Sequence, residues 1–218
     1  MKQYIDNERG NGVILTIFSF AIVGIMLILV LNIAMVFTTK EQTAIAAEHA
    51  SIAATSVVFE KVEPIIQSHV KEVIIGVDEN GVDIIKYEPL IDKVIDRENA
   101  IKASKPWLSN NEVHIQAVNQ VLSSEIPDDD KLKPKISNAI NSAKYSIPSV
   151  INSIVDKNIG DDINFKVEWK LDGDNRIEVI AKTEYEPVKY EGLNFGGKNE
   201  IPQKGKGPKI SFLEEAGW

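Results

Sequence analysis

The sequence has no cysteine. That excludes disulfides, thiolate catalysis and cysteine-based zinc or iron–sulfur sites. From Gly10 to Thr39 it has no charged side chain. It has no G-x-S-x-G or S-x-x-K nucleophile pattern, no H-E-x-x-H zinc motif and no EF-hand loop. It has no repeat of solenoid length. These absences imply no enzyme, no cofactor and no resident metal. What is present is an ordinary globular composition, 44% apolar and 26% charged in 218 residues, which excludes disorder throughout.

The charge-free stretch contains a nearly pure apolar run from Val13 to Phe37. It is about 25 residues long, about 37 Å as a helix, enough to cross a hydrocarbon core of about 30 Å with some tilt. A helix is required because the bilayer offers no partner for free backbone N–H and C=O groups. A secretory h-region is about 7–15 residues, so an uncleaved anchor is expected despite the Ala44-Ile45-Ala46 step. Thr16 and Ser19 can bond back to their own helix. Asn32 either reaches the membrane interface or bonds to a partner helix.

Lys2, Arg9 and the α-amino group precede the run, whereas Lys40 follows it with no further basic residue until Lys61. This bias places the N-terminus inside and the large C-terminal part outside the cytoplasm. Asp6 and Glu8 offset Lys2 and Arg9, so the whole net charge of −8 falls on the exterior part. An acidic domain is a poor partner for nucleic acid or anionic lipid.

Beyond the run, alanines at 44, 46, 47, 50, 53 and 54 favour helix. Ile45, Ile52, Phe59, Ile66 and Val73 recur every seven residues and extend the helix to about Ile75, with a kink or restart at Pro64. The stripe packs either on the protein's own domain or on the helices of other subunits. Residues 77–81 form a turn and residues 82–90 a strand. Helices are expected over 91–104, over 112–124 and over 136–156, the last interrupted by Pro148. Residues 164–171 and 176–185 alternate polar and apolar around Asp172-Gly173-Asp174-Asn175, the pattern of an antiparallel hairpin. The tail collects glycines, lysines, Pro202 and Pro208 and reads as a loosely ordered extension ending in an apolar patch, Ile210 to Leu213.

The fold expected is α+β. A single N-terminal transmembrane helix continues into a long exposed helix, then a mixed helical domain with a C-terminal antiparallel hairpin. The segments are a cytoplasmic N-terminus (1–12), the transmembrane helix (13–37), a helical extension (38–75), an extracytoplasmic α+β domain (76–187) and a Gly/Lys-rich tail (188–218).

Several local patterns have plainer explanations than chemistry. Gly192 to Asn199 nearly spells a phosphate-binding loop, but Asn199 replaces the hydroxyl residue and Pro202 opposes the helix that must follow. His49, His69 and His114 read as surface or partly buried helix residues. His69 and Glu72 sit one turn apart without further ligand spacing. Asp128-Asp129-Asp130 reads as a solvated loop, since successive carboxylates point in different directions.

Glu8-Arg9-Gly10 stands directly before the apolar run, and an alanine-rich helix leads out of it. This N-terminus, with its Arg9-Gly10 step, resembles the TadE/TadG-like proteins of Tad (Flp) pilus assembly. The strand ending Thr183-Glu184-Tyr185-Glu186-Pro187 is similar to strands near the C-terminus of such proteins. Type IV pilins and the TadE branch carry a glutamate at the fifth position after the cleaved glycine. Here that position is Leu15, counted from Gly10, or Ile17, counted from Gly12. Neither can pair with a neighbouring subunit's N-terminus, so the uncleaved, TadG-like pseudopilin type fits better.

The resemblance implies a membrane-anchored accessory component of a pilus or secretion apparatus in the cell envelope. Its partners would be the lipid bilayer and other pilus-assembly or membrane subunits, with no small-molecule substrate. Assembly-interface candidates are Asn32, Ile45, Ile52 and Phe59. The alternative is a membrane-tethered extracytoplasmic ligand-binding or sensory module unrelated to pili.

Overall fold

The computed structural model describes residues 8–159, 164–187 and 199–218, with side chains from Gly12 onward. One helix, α1 (Glu8–Ser68), is 61 residues long. At about 1.5 Å per residue it reaches about 90 Å. It is followed by β1 (Val70–Val77), β2 (Asp83–Pro89), α2 (Leu90–Ser104), α3 (Asn110–Glu125), α4 (Leu132–Ile159), β3 (Phe165–Leu171), β4 (Arg176–Tyr185), β5 (Asn199–Lys209) and a short α5 (Leu213–Ala216). The architecture is α+β, with one two-stranded and one three-stranded antiparallel sheet.

The upper half of α1 is the spine of the core, packed between α4 and the β4–β5 face. Ala46, Ala47, Ala50, Ala54, Val58, Val62 and Ile66 are all buried. The sequence reading placed an exposed helical extension over 38–75. The structure instead buries one face of that helix, because its alanines let two layers approach it at once. α4 contributes Ile136, Ile140, Ala143, Ile147, Ile151 and Val155 at helical spacing. Pro148 lies inside α4 without ending it, and the buried neighbours Ile147 and Ile151 hold the helix in place across the missing N–H. Pro64 likewise lies within α1, one turn before its end.

α1 stops at Ser68, not at Ile75. Val70, Val73, Ile74, Ile75 and Val77 are β-branched, and the segment pairs with β2 in a hairpin with a bulge at Ile75. The heptad step from Ile66 to Val73 therefore crosses from helix to strand. Asp78 Oδ1 closes the turn by accepting the N–H groups of Asn80 and Val82, both at 2.8 Å. Gly81 takes the left-handed conformation there (φ 81°).

The hairpin expected over 164–185 forms in the register Phe165↔Thr183 to Leu171↔Ile177. It gains a third strand, β5, from the segment read as a loose tail. Gly205 and Gly207 of β5 lie directly on α1. A Cβ at Gly205 would fall on the Ala47 backbone, and one at Gly207 on Thr55 and within 2.7 Å of the Ser51 carbonyl oxygen. Glycine is thus a packing requirement at both positions. Ile210, Phe212 and Leu213 are fully buried. The near phosphate-binding loop at 192–198 lies outside the described residues.

Candidate assembly surfaces

Among the described residues, nothing covers the lower part of α1. Its most apolar window is unburied, and side chains such as Leu15, Phe18, Phe20 and Met26 stand open. It is long and apolar enough to cross a membrane. Thr16 donates to the Gly12 carbonyl at 2.8 Å and Ser19 to that of Leu15 at 2.9 Å, as the sequence suggested. Arg9 and Gly10 lie in the first turn of α1.

Asn32 marks the level at which the domain begins. It is 8% exposed, and the Tyr185 hydroxyl at the end of β4 donates towards its backbone oxygen (3.1 Å) and its side-chain oxygen (3.0 Å). Sequence reasoning gave Asn32 to the interface or to a partner helix. The structure binds it to the chain's own sheet. Higher up, Thr43 donates to the Thr39 carbonyl at 2.6 Å and accepts from Thr183 at 2.7 Å, a second buried tie between α1 and β4.

The seven-residue row splits. Phe59 is half-buried and meets Phe212 edge-on, ring centroids 5.9 Å apart. Ile45 and Ile52 are 40% and 43% exposed. They flank the alanine face that the core covers, and they form an apolar pair on the outside of the domain.

A second apolar surface arises because residues 70–75 form a strand and not the helix that their spacing predicts. On the β1–β2 hairpin, Val70, Ile74, Ile75, Val77, Val82, Ile84, Ile85 and Tyr87 are all exposed. The hairpin is fixed at its base by ion pairs. Glu125 accepts Lys93 at 2.8 Å and Lys71 at 3.2 Å, and Lys131 meets Glu72 at 2.9 Å. Burial opposes ionisation of Glu125, but Lys93 and then Lys71 outweigh it and hold its carboxyl below the ordinary range.

His69 sits at the junction of α1 and β1, buried, with Nε2 2.7 Å from Asp129. Lys135 is a donor only and lies 3.3 Å from Nδ1, so Nδ1 accepts and the proton faces Asp129. Asp129 Oδ1 also accepts the N–H groups of Lys131 (2.9 Å) and Leu132 (3.0 Å) at the start of α4. Burial opposes ionisation of Asp129, yet the His69 bond and these N–H groups together depress its pKa. The solvated acidic loop expected at 128–130 therefore has a buried structural centre. Glu72 faces Lys131, apart from His69. His114 meets Glu98 at 2.6 Å and Glu63 at 3.2 Å, and His49 meets Asn158 at 3.2 Å. Among the described residues, no three His, Asp or Glu side chains converge as a metal set.

Comparisons with family models, curated proteins and solved structures return no match.

Proposed function

We propose that this chain is a single-pass, membrane-anchored, pseudopilin-like accessory component of a Tad/Flp-type pilus or secretion apparatus. Its N-terminus lies inside and its α+β domain outside the cytoplasm. It acts by assembly with other membrane subunits and not by catalysis. The observation that carries this reading is the division of α1. One unbroken helix is bare and apolar over its lower part, and over its upper part it is the spine of a folded domain. A bare apolar helix needs lipid or partner helices around it. The Arg9-Gly10 step before it and the Lys/Arg bias across it support the family and the orientation.

Ile45 and Ile52 are the contact residues of choice on α1, because they are apolar, exposed and just above the bare segment. Their test is direct. Ile52→Asp should leave the melting of the detergent-solubilised protein unchanged within about 0.5 kcal/mol, as befits an exposed position. It should abolish crosslinking to neighbouring subunits through a cysteine placed at position 45. Undiminished crosslinking by the Asp variant would overturn the assembly role of this face.

A further inference from the structure

Several lysines and arginines have no carboxylate partner among the described residues, and two of these, Arg176 and Lys209, line one groove. Lys71, Lys93, Lys131, Lys166, Lys182 and Lys206 each lie within 3.2 Å of a carboxylate oxygen. Arg176 and Lys209 pair with no carboxylate among the described residues. The Arg176 guanidinium donates to the Gly207 carbonyl, at 3.2 Å. The two are direct cross-strand partners at the end of β4 and β5, so their side chains leave the same face as neighbours. They line one wall of a groove of about 570 Å³ whose other wall is α3.

The α3 wall presents Gln116 and Gln120, one turn apart and on one face. Their orientation is set from behind. Lys105 donates to the Gln116 side-chain oxygen at 3.4 Å, and Arg97 donates to that of Gln120. A lysine or arginine can only donate, so both amide oxygens are committed to these cations and both NH2 groups remain available. Asn119 between them is used up in the frame. Its amide donates to the Lys209 carbonyl at 2.9 Å, and its oxygen accepts the Ser211 N–H at 2.7 Å. This buried link fixes the strand end that carries Lys209 against α3. The one carboxylate on the wall, Glu112, accepts the Ser109 N–H (2.9 Å) and hydroxyl (2.7 Å) through Oε2 in the capping box of α3, which leaves Oε1 as an acceptor at that end of the groove.

Donors thus outnumber acceptors among the groove's side chains: a guanidinium, an ammonium and two amide NH2 groups on facing walls, against the one remaining oxygen of Glu112 at its end. We propose that the groove is a binding site for a small organic polyanion, a di- or tricarboxylate or a phosphate ester. Its oxyanion groups are held by Arg176 and Lys209 on one side and by Gln116 and Gln120 on the other. Its volume suits a ligand of that size, and charge-assisted bonds to carboxylate or phosphate are the strong ones available to these donors. The site lies beside the assembly face on α1, with Ile115 and Pro208 shared between the groove and the cleft that Ile52 lines, and the sequence did not disclose it because its donors come from three distant segments.

The test uses the full chain in detergent, titrated calorimetrically with citrate, succinate and inorganic phosphate at constant ionic strength, with acetate as the monoanion control. Saturable binding of a polyanion, stronger than acetate and weakened by added salt, is expected. Citrate or succinate as the tightest ligand identifies the carboxylate source, and phosphate the phosphoryl source. Lys209→Gln and Gln120→Glu should each weaken binding by about tenfold or more. The first is exposed, and the second keeps its bond to Arg97, so both should fold as the parent does. Arg176→Gln should weaken binding at least as much, and if it melts early the other two variants decide. No saturable binding by any polyanion, or equal binding by Lys209→Gln and Gln120→Glu, would overturn the proposal.

Discussion

At the scale of residues, a few small side chains decide how closely the layers meet. Gly205 and Gly207 lie where β5 crosses α1, over Ala47, Ser51 and Thr55. Alanine at Gly205 would force the strand off the helix backbone, an overpacking that costs about 1–3 kcal/mol. Gly205→Ala should therefore lower the denaturant midpoint of the solubilised protein by a corresponding amount. Alanine at the open turn position Gly173, whose Cβ would meet nothing, should not. Equal midpoints for Gly205→Ala and the parent would show that β5 does not press on α1 as described. In the sequence these glycines looked like flexibility, because composition cannot distinguish a glycine that must move from one that must be small.

At the scale of elements, the β1–β2 hairpin stands out. A two-stranded sheet is marginal alone, and this one is held at its base by Glu125 with Lys71 and Lys93 and by the His69–Asp129 link to α4. Both carboxyls have pKa values depressed in the folded protein. The stability they contribute is present above the ordinary carboxylate value, about 4, and is lost as pH falls through the lower folded value. Hydrogen exchange of the hairpin amides should thus be constant from neutral pH to about pH 5, after correction for intrinsic rates. Extra opening should set in below about pH 4. Asp129→Asn should show extra opening already at neutral pH and a flatter acid response. A hairpin that opens first towards alkaline pH would contradict the linkage. The turn at 77–81 and the strand β2 were legible from Gly81 and the β-branched run. β1 was not, because an apolar residue every seventh position satisfied a helical pattern up to the bend at His69.

At the scale of the whole molecule, the apolar helix and its domain meet at Asn32. On the membrane reading proposed above, the lipid-covered part then runs from Gly12 to about Leu31, about 20 residues or about 30 Å. That is shorter than the apolar run to Phe37. The absence of cysteine makes this measurable with single cysteines in the otherwise unchanged chain. Ile22→Cys should resist an aqueous maleimide, whereas Phe37→Cys, 66% exposed in the native chain, and Ile45→Cys should react from outside the cell. Protection of Phe37→Cys would return the boundary to the end of the apolar run, and external labelling of Ile22→Cys would refute the span. The sequence by itself determined the apolar helix, α2, α3, α4 and the β3–β4 hairpin, because each follows from periodicity or turn residues within a short window. It also determined the charge asymmetry. Only the tertiary structure decided that the alanine face of α1 belongs to the core, that Asn32 belongs to Tyr185, that residues 199–209 form a strand, and that Arg176 and Lys209 face Gln116 and Gln120. Those facts depend on partners distant along the chain, and the free energy that selects them comes from close contact, which a one-dimensional pattern does not contain.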